Sequence, residues 1–309
     1  MAQNLLSIII PVRNQARTLD VLLRRLKALA PPEGWGVEII AGYTDSRDHT
    51  LDVLKAHGVE VVTSTVPGPG AARNAAAARA KGQLLYFIDA DACPVGEDFL
   101  ARLIGIARRL GRFGAFGGPI LLDPSQRRNP IALGDHWACW FFWQQVRPSQ
   151  RTILFQPTVS LVMWRRVFEA FRGFNPALRV LEDAELQERL LARNLPIYFV
   201  QGFAVTHQAR GGLWRSWRHS WYWGGPFRSE ILAKGRSHKL RYPVGSPLFW
   251  LNLPKIFRQR MRRILKVAWP HAKREIRFCF PFLAATVFVW ALGAVLGRDQ
   301  PRPETAAPV

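Results

Sequence analysis

The sequence predicts an α/β fold: an open, mostly parallel, Rossmann-like sheet with helices on both faces, followed by C-terminal amphipathic and transmembrane helices. Three observations predict it. Short apolar, β-branched runs recur through residues 5–88, continuous rather than alternating, as in strands buried on both faces. Segments of helical period separate these runs, so each connection is a right-handed crossover. After about residue 210 aromatics interleave with cations, and the chain then enters an uncharged apolar run.

Each element follows in order. Residues 5–10 (LLSIII) form a strand stopped by Pro11. Leu19, Leu22, Leu23 and Leu26 recur at helical spacing and predict a helix over 16–29. Residues 37–40 and 59–62 are the second and third strands, with a polar loop at 45–50 and a helical period from Leu51 between them. The tight loop Pro67-Gly68-Pro69-Gly70 opens an Ala-rich helix over 71–80, and 84–88 is a fourth buried strand ending in Asp89-Ala90-Asp91. Residues 116–122 read as a strand, 127–151 as an aromatic-rich stretch of no assignable type, 181–192 as a helix and 197–205 as a strand. Residues 254–269 form a basic amphipathic helix, and 278–297 are apolar and uncharged.

Apolar content of 49% argues against disorder, and a net charge of +21 directs the chain toward polyanions, either nucleic acid or anionic lipid. Cys93, Cys139 and Cys279 are odd in number and far apart, so neither a disulfide framework nor a zinc site is expected, and the compartment reads as reducing. The apolar run before Arg13 is too short for a signal peptide.

Ligands of open α/β sheets bind at the carboxyl ends of the strands. Pro11, Asp45 and the Asp89–Asp91 pair all lie just past strand ends, so they are expected on one rim. Two carboxylates two residues apart on an extended segment can share a divalent cation, and hard oxygens suit Mg²⁺ or Mn²⁺, which bridge diphosphate oxygens. Such an ion stabilises a nucleoside-diphosphate leaving group. Arg73 can fork onto phosphate or stack on a base. Glu182-Asp183 precedes an apolar-periodic run. This pair either complements a helix dipole or supplies a general base.

In this order the segments resemble the family-2 glycosyltransferases of the GT-A fold. The resemblance covers roughly residues 7–225. It is carried by Ser7-Ile8-Ile9-Ile10-Pro11-Val12-Arg13-Asn14, the acidic loop after the second strand, Gly70-Ala71-Ala72-Arg73-Asn74, and the strand ending at Asp91. Arg172-Gly173-Phe174-Asn175 with Leu181-Glu182-Asp183 and Glu188-Arg189-Leu190 completes it. The resemblance implies a nucleotide-diphosphate sugar as donor, bordered by Pro11, Arg13, Asp45, Arg73 and Asp89. It implies Asp91, Asp89 and His207 at the metal, and Asp183 as base with Glu182 beside it. Where the family carries two acids directly after the second strand, this chain has Tyr43 and Thr44, with Asp45 next. The Gln-X-X-Arg-Trp motif of processive synthases is not found, the stretch 214–223 being only loosely similar, which points to a single-addition enzyme; the resemblance implies inversion.

Residues 278–297 match the length of a bilayer-spanning helix, and the dense cations of 255–277 against Arg298 and Arg302 beyond it orient the catalytic part to the cytoplasm. The expected division is therefore a catalytic domain over 1–225, an interfacial segment over 226–275, and a transmembrane helix with its tail over 276–309. The expected acceptor is lipid-linked or a saccharide, and the expected location is the cell membrane. Two alternatives stand beside this reading: a catalytically degenerate scaffold, and a basic protein that binds nucleic acid or lipid. Nucleic acid is disfavoured because no recognition motif is present and the cations gather beside the apolar run.

Overall fold

The computed structural model describes residues 4–144, 150–233 and 240–297; Arg298 and Arg302, on which the expected orientation partly rests, lie outside them. The chain divides into two compact units, Met1–Leu121 with Arg147–His207, and Leu122–Val146 with Gln208–Val309.

The first unit is the α/β unit. Its elements run β1 (Asn4–Val12), α1 (Ala16–Ala28), β2 (Trp35–Tyr43), α2 (Thr50–Ala56), β3 (Glu60–Thr63), α3 (Pro69–Arg79), β4 (Leu84–Ile88), β5 (Ala92–Pro94), α4 (Phe99–Leu110), β6 (Ala115–Gly117) and β7 (Ile120–Leu122). After α5 (Pro130–Trp140), which belongs to the other unit, come β8 (Gln150–Ile153), β9 (Ser160–Trp164), α6 (Arg165–Ala170), α7 (Glu182–Ala192), β10 (Ile197–Val200) and β11 (Val205–His207). Eight strands form one sheet in the order β3-β2-β1-β4-β9-β6-β10-β8. The first four are parallel, as the crossover pattern predicts, while β9 runs antiparallel to both β4 and β6. Leu6, Ile8, Ile9, Ile10 and all of β4 are buried, because helices cover both faces. α1 buries Leu19, Leu22, Leu23 and Leu26 along one side.

Two expected strands are each broken in two. Residues 116–122 split into β6 and β7, and 197–205 into β10 and β11; β7 and β11 leave the main sheet to join β5 in a three-stranded sheet, in the order β5-β11-β7. The second strand extends to Tyr43, which is therefore its last residue rather than part of the following loop.

The second unit is helical: α5, α8 (Leu213–Ala233) and α9 (Leu253–Leu296). α5 falls in the stretch without assignable pattern, because Ala132, Leu133, Gly134, Asp135, His136, Trp137 and Ala138 are all buried and leave no polar face. Its start is nevertheless written locally, with Pro130 in the first turn and Asn129 accepting from the Ile131 and Ala132 amides. The expected interfacial and transmembrane helices are one element with a break at Ala272, two residues after Pro270. Beyond the break the helix turns back. Phe257 meets Phe288 with ring centroids 6.1 Å apart, and the Arg260 guanidinium lies 4.0 Å from the Trp290 ring centre. In a straight helix residues 257 and 288 would be roughly 45 Å apart. The element is long and apolar enough to cross a membrane, with a mean hydropathy of 2.1 in its most apolar window, but half of that window is buried inside the protein.

Candidate active site

The carboxyl ends of β1, β2 and β4 stand side by side, with Val12 opposite Tyr43 and Ile9 opposite Phe87. The loops that follow β1 and β2 are tied together: the Asn14 amide donates to Ser46 Oγ at 3.0 Å, and Asn14 Oδ1 accepts from the Arg47 amide at 2.7 Å. Asn14 sits at φ 54°, a region asparagine tolerates better than most residues. This linkage sets Pro11, Arg13 and Asp45 on one rim, with Arg13 and Asp45 exposed. The Tyr43 hydroxyl accepts from the Ser46 amide at 3.1 Å, so Tyr43 shapes the loop that carries Asp45.

Arg73, in the second turn of α3, is 3% exposed and joins the motifs. Its Nη2 donates to Asp89 Oδ1 at 2.6 Å and its Nη1 to Glu182 Oε1 at 2.8 Å. The guanidinium also lies 5.8 Å from the Phe174 ring centre. One planar fork thus links the strand-end carboxylate to the acidic pair that opens α7. Gly70 makes this possible, since a Cβ there would come 2.8 Å from Glu182 Cγ. The next residue fixes the backbone: Asn74 accepts from the Phe174 amide at 2.9 Å and donates to its carbonyl at 2.6 Å. Segments 72–74 and 172–174, a hundred residues apart in sequence, are therefore one structural piece.

Asp183 is held from three sides. Its Oδ2 accepts from the Thr158 amide at 3.2 Å and hydroxyl at 3.3 Å, and its Oδ1 from the Ala184 amide at 2.9 Å. Gln156 and Gln187 exchange bonds across the same loop, the Gln156 amide reaching Gln187 Oε1 at 2.8 Å and Gln187 Nε2 the Gln156 carbonyl at 2.7 Å. Nothing in the sequence marks Gln156, Thr158 and Gln187, because the loop that carries two of them has no periodicity. Arg189 pairs with Glu185 at 2.7 Å and donates to the Phe171 and Gly173 carbonyls, so this arginine of the expected acidic block supports the loop before Phe174.

Electrostatics follow from burial. The Glu182 carboxyl is pushed up to about 7, first by burial and then by the Asp183 charge, with Arg73 pulling the other way. Asp183 is also raised, again chiefly by burial. Burial, the largest single influence on Arg73, favours its neutral form, but the charges of Asp89, Glu182 and Asp183 override it and raise its pKa. The two acids therefore hold protons more tightly than exposed ones.

Asp91 lies in the turn between β4 and β5. Because β11 pairs with β5, His207 falls opposite Ala92, and its Nε2 is 3.5 Å from Asp91 Oδ1. A half-buried carboxylate beside a buried imidazole is a donor set that fits a divalent cation such as Mn²⁺ or Mg²⁺. Asp89 is close in sequence, but one of its oxygens is committed to Arg73.

Comparison with solved structures finds the same architecture. The mannosyltransferase PcManGT from Pyrobaculum calidifontis, solved with GDP-Man and Mn²⁺, aligns with a TM-score of 0.60 at 15% identity, over 95% of this chain and 88% of its own. Residues 1–349 of TarS from S. aureus, solved with UDP-GlcNAc, align at 0.54 and 14% identity, over 94% and 90%. At these identities the likeness shows the GT-A fold. A search among curated proteins found no match. The family model of glycosyl transferase family 2 matches residues 7–170, just over half of the sequence. The chain thus belongs to glycosyl transferase family 2.

Proposed function

We propose that the protein transfers a sugar from a nucleoside-diphosphate donor to a hydroxyl group of a lipid-linked or saccharide acceptor, in a single inverting addition at the cytoplasmic face of the cell membrane. The observation that carries this reading is the Arg73 fork, which couples Asp89 on the donor side to Glu182 on the acceptor side through bonds of 2.6 and 2.8 Å. Pro11, Arg13 and Asp45 border the nucleotide on the open rim, and the exposed Arg13 guanidinium can fork onto a phosphate. A divalent cation, Mg²⁺ or Mn²⁺, would be held by Asp91, His207 and Asp89, and when bound would supply charge to neutralise the leaving diphosphate. Two of the similar structures support the donor class, one holding GDP-Man with Mn²⁺ and the other UDP-GlcNAc.

Asp183 takes the proton of the acceptor hydroxyl, and Glu182 beside it keeps the local charge in balance with Arg73. A base whose pKa is raised, as burial raises that of Asp183, has more driving force for proton transfer than an exposed carboxylate. Burial of the pair also excludes water that would compete with the acceptor.

The test is transfer or donor hydrolysis by detergent-solubilised protein over a panel of nucleotide sugars, with Mn²⁺, with Mg²⁺ and with chelator, beside Asp91→Ala. Metal-dependent turnover of one donor, lost in the variant, is the expected result. Folded protein that turns over no donor, even with a membrane lipid extract as acceptor, overturns it and leaves a scaffold in which Tyr43 and Thr44 replace the acids of the family.

A further inference from the structure

We infer that α9 does not cross the bilayer but docks on the surface of an anionic membrane through the tip of its hairpin, Trp269 to Phe280. This rests on the membrane part of the reading above, not on the sugar chemistry.

Packing argues against a span. The arm after Ala272 buries Ile276, Cys279, Leu283 and Val287 against Ala132, Leu133 and Trp137 of α5 and against Ile264 and Ala268 of the first arm. Its far end, Trp290, Ala291 and Val295, packs with Ile256 of the first arm, and partly buried Trp223 of α8 lies against that group. The approach to α8 is too close to be incidental. A Cβ on Gly293 would come 2.1 Å from the Trp221 carbonyl oxygen, and one on Gly224 would come 2.2 Å from that of Trp290. If the second arm stood across the hydrocarbon, the first arm would stand there with it. That would carry the exposed Arg258, Arg262, Arg263 and Lys266 into the bilayer, together with the exposed Arg218 of α8. Cations at that depth are strongly disfavoured. The apolar length that reads as a span in sequence is thus largely the core of a helical unit.

The tip has the opposite character. Trp269, Phe278 and Phe280 are among the exposed large apolar side chains, at 40%, 53% and 44%. Between them lie the exposed Lys273, Arg274 and Arg277, against Glu275 alone. Lys273 and Arg277 both lie over the Trp269 ring, 5.6 and 5.7 Å from its centre. Aromatics that tolerate a polar boundary, interleaved with cations, match the headgroup layer of a bilayer rich in anionic lipid. Charge complementarity selects the lipid: a chain of net charge +21 presents a basic, aromatic tip.

The experiment floats the full-length protein with vesicles of phosphatidylcholine alone or with phosphatidylglycerol added, and extracts cell membranes with alkaline carbonate. The expected result is at least about tenfold more binding to the anionic vesicles, release by carbonate, and loss of flotation in Phe278→Asp/Phe280→Asp and in Lys273→Ala/Arg274→Ala/Arg277→Ala. Both variants should keep the parent circular dichroism and the parent rate of donor hydrolysis, which separates failure of docking from failure of the transferase reading. Carbonate-resistant protein overturns the inference in favour of a span. Equal binding to both vesicles, or no vesicle binding with the tip buried in a dimer, overturns the lipid as partner.

Discussion

Arg73 neutralises two carboxylates from inside the protein, and its loss would strand both. Removing one partner of a buried ion pair costs about 3–5 kcal/mol, and Arg73→Ala should lose this much in urea unfolding. Arg73→Lys should retain part of the stability but not the activity, because a single ammonium cannot meet Asp89 and Glu182 at their observed separation with the same planar geometry. Glu182 gives a pH prediction of definite sign. Its folded value of about 7 lies above its ordinary 4.5 because it is buried. The folded chain therefore keeps a proton that the unfolded chain has released. Its contribution to stability is complete below about pH 4.5, falls as pH rises toward about 7, and is flat above that. Glu182→Gln should flatten the unfolding free energy over that interval. Activity should run the other way, rising toward and through about pH 7 as Glu182 ionises. At this scale the sequence was informative where chemistry and position coincide, at a strand end or a helix start: Asp89, Asp91, Arg73, Glu182 and Asp183 are all brought to the same rim or its buried floor. Thr158 and Gln156 were invisible, since a hydrogen-bonding loop residue leaves no periodic trace.

Among the elements, α3 and the loop before α7 depend on one side chain. Asn74→Ala removes both bonds to Phe174 and leaves the buried backbone groups of that residue without their partner, a loss of about 1–3 kcal/mol. Because Phe174 packs edge-on to Phe87 at 5.2 Å and lies beside Arg73, the substitution should also lower turnover, and a thermal melt measured with kinetics checks both. The four parallel strands were legible because burial on both faces leaves a continuous apolar run. The antiparallel insertion of β9 between β4 and β6 was not, because strand order is decided by long-range pairing that no local pattern records. α5 escaped for a related reason: it is covered all round, Asp135 and His136 included, which erases the 3.6-residue signal.

For the whole molecule, catalysis and stability should respond differently to metal. Asp91 and His207 are brought together by the backbone pairing of β5 with β11. Chelation is accordingly expected to abolish turnover and to leave the melting temperature of the metal-free protein close to that of the untreated protein, measured by calorimetry. The apolar run of 278–297 was legible as a helix, and all but its last residue lies within α9. Which of its faces its neighbours cover was not legible, because that depends on long-range packing: half of its most apolar window is buried inside the protein.

The discontinuity of the helical unit has a consequence in time. α5 is made early, yet the α9 arms that bury its Leu133 and Trp137 begin about 110 residues later. At roughly 5–20 residues per second, a newly made α5 waits on the order of ten seconds with its apolar surface uncovered. During that interval the nascent chain is a substrate for chaperones or for a nearby lipid surface, and premature termination anywhere before α9 would leave a sticky fragment rather than a smaller enzyme.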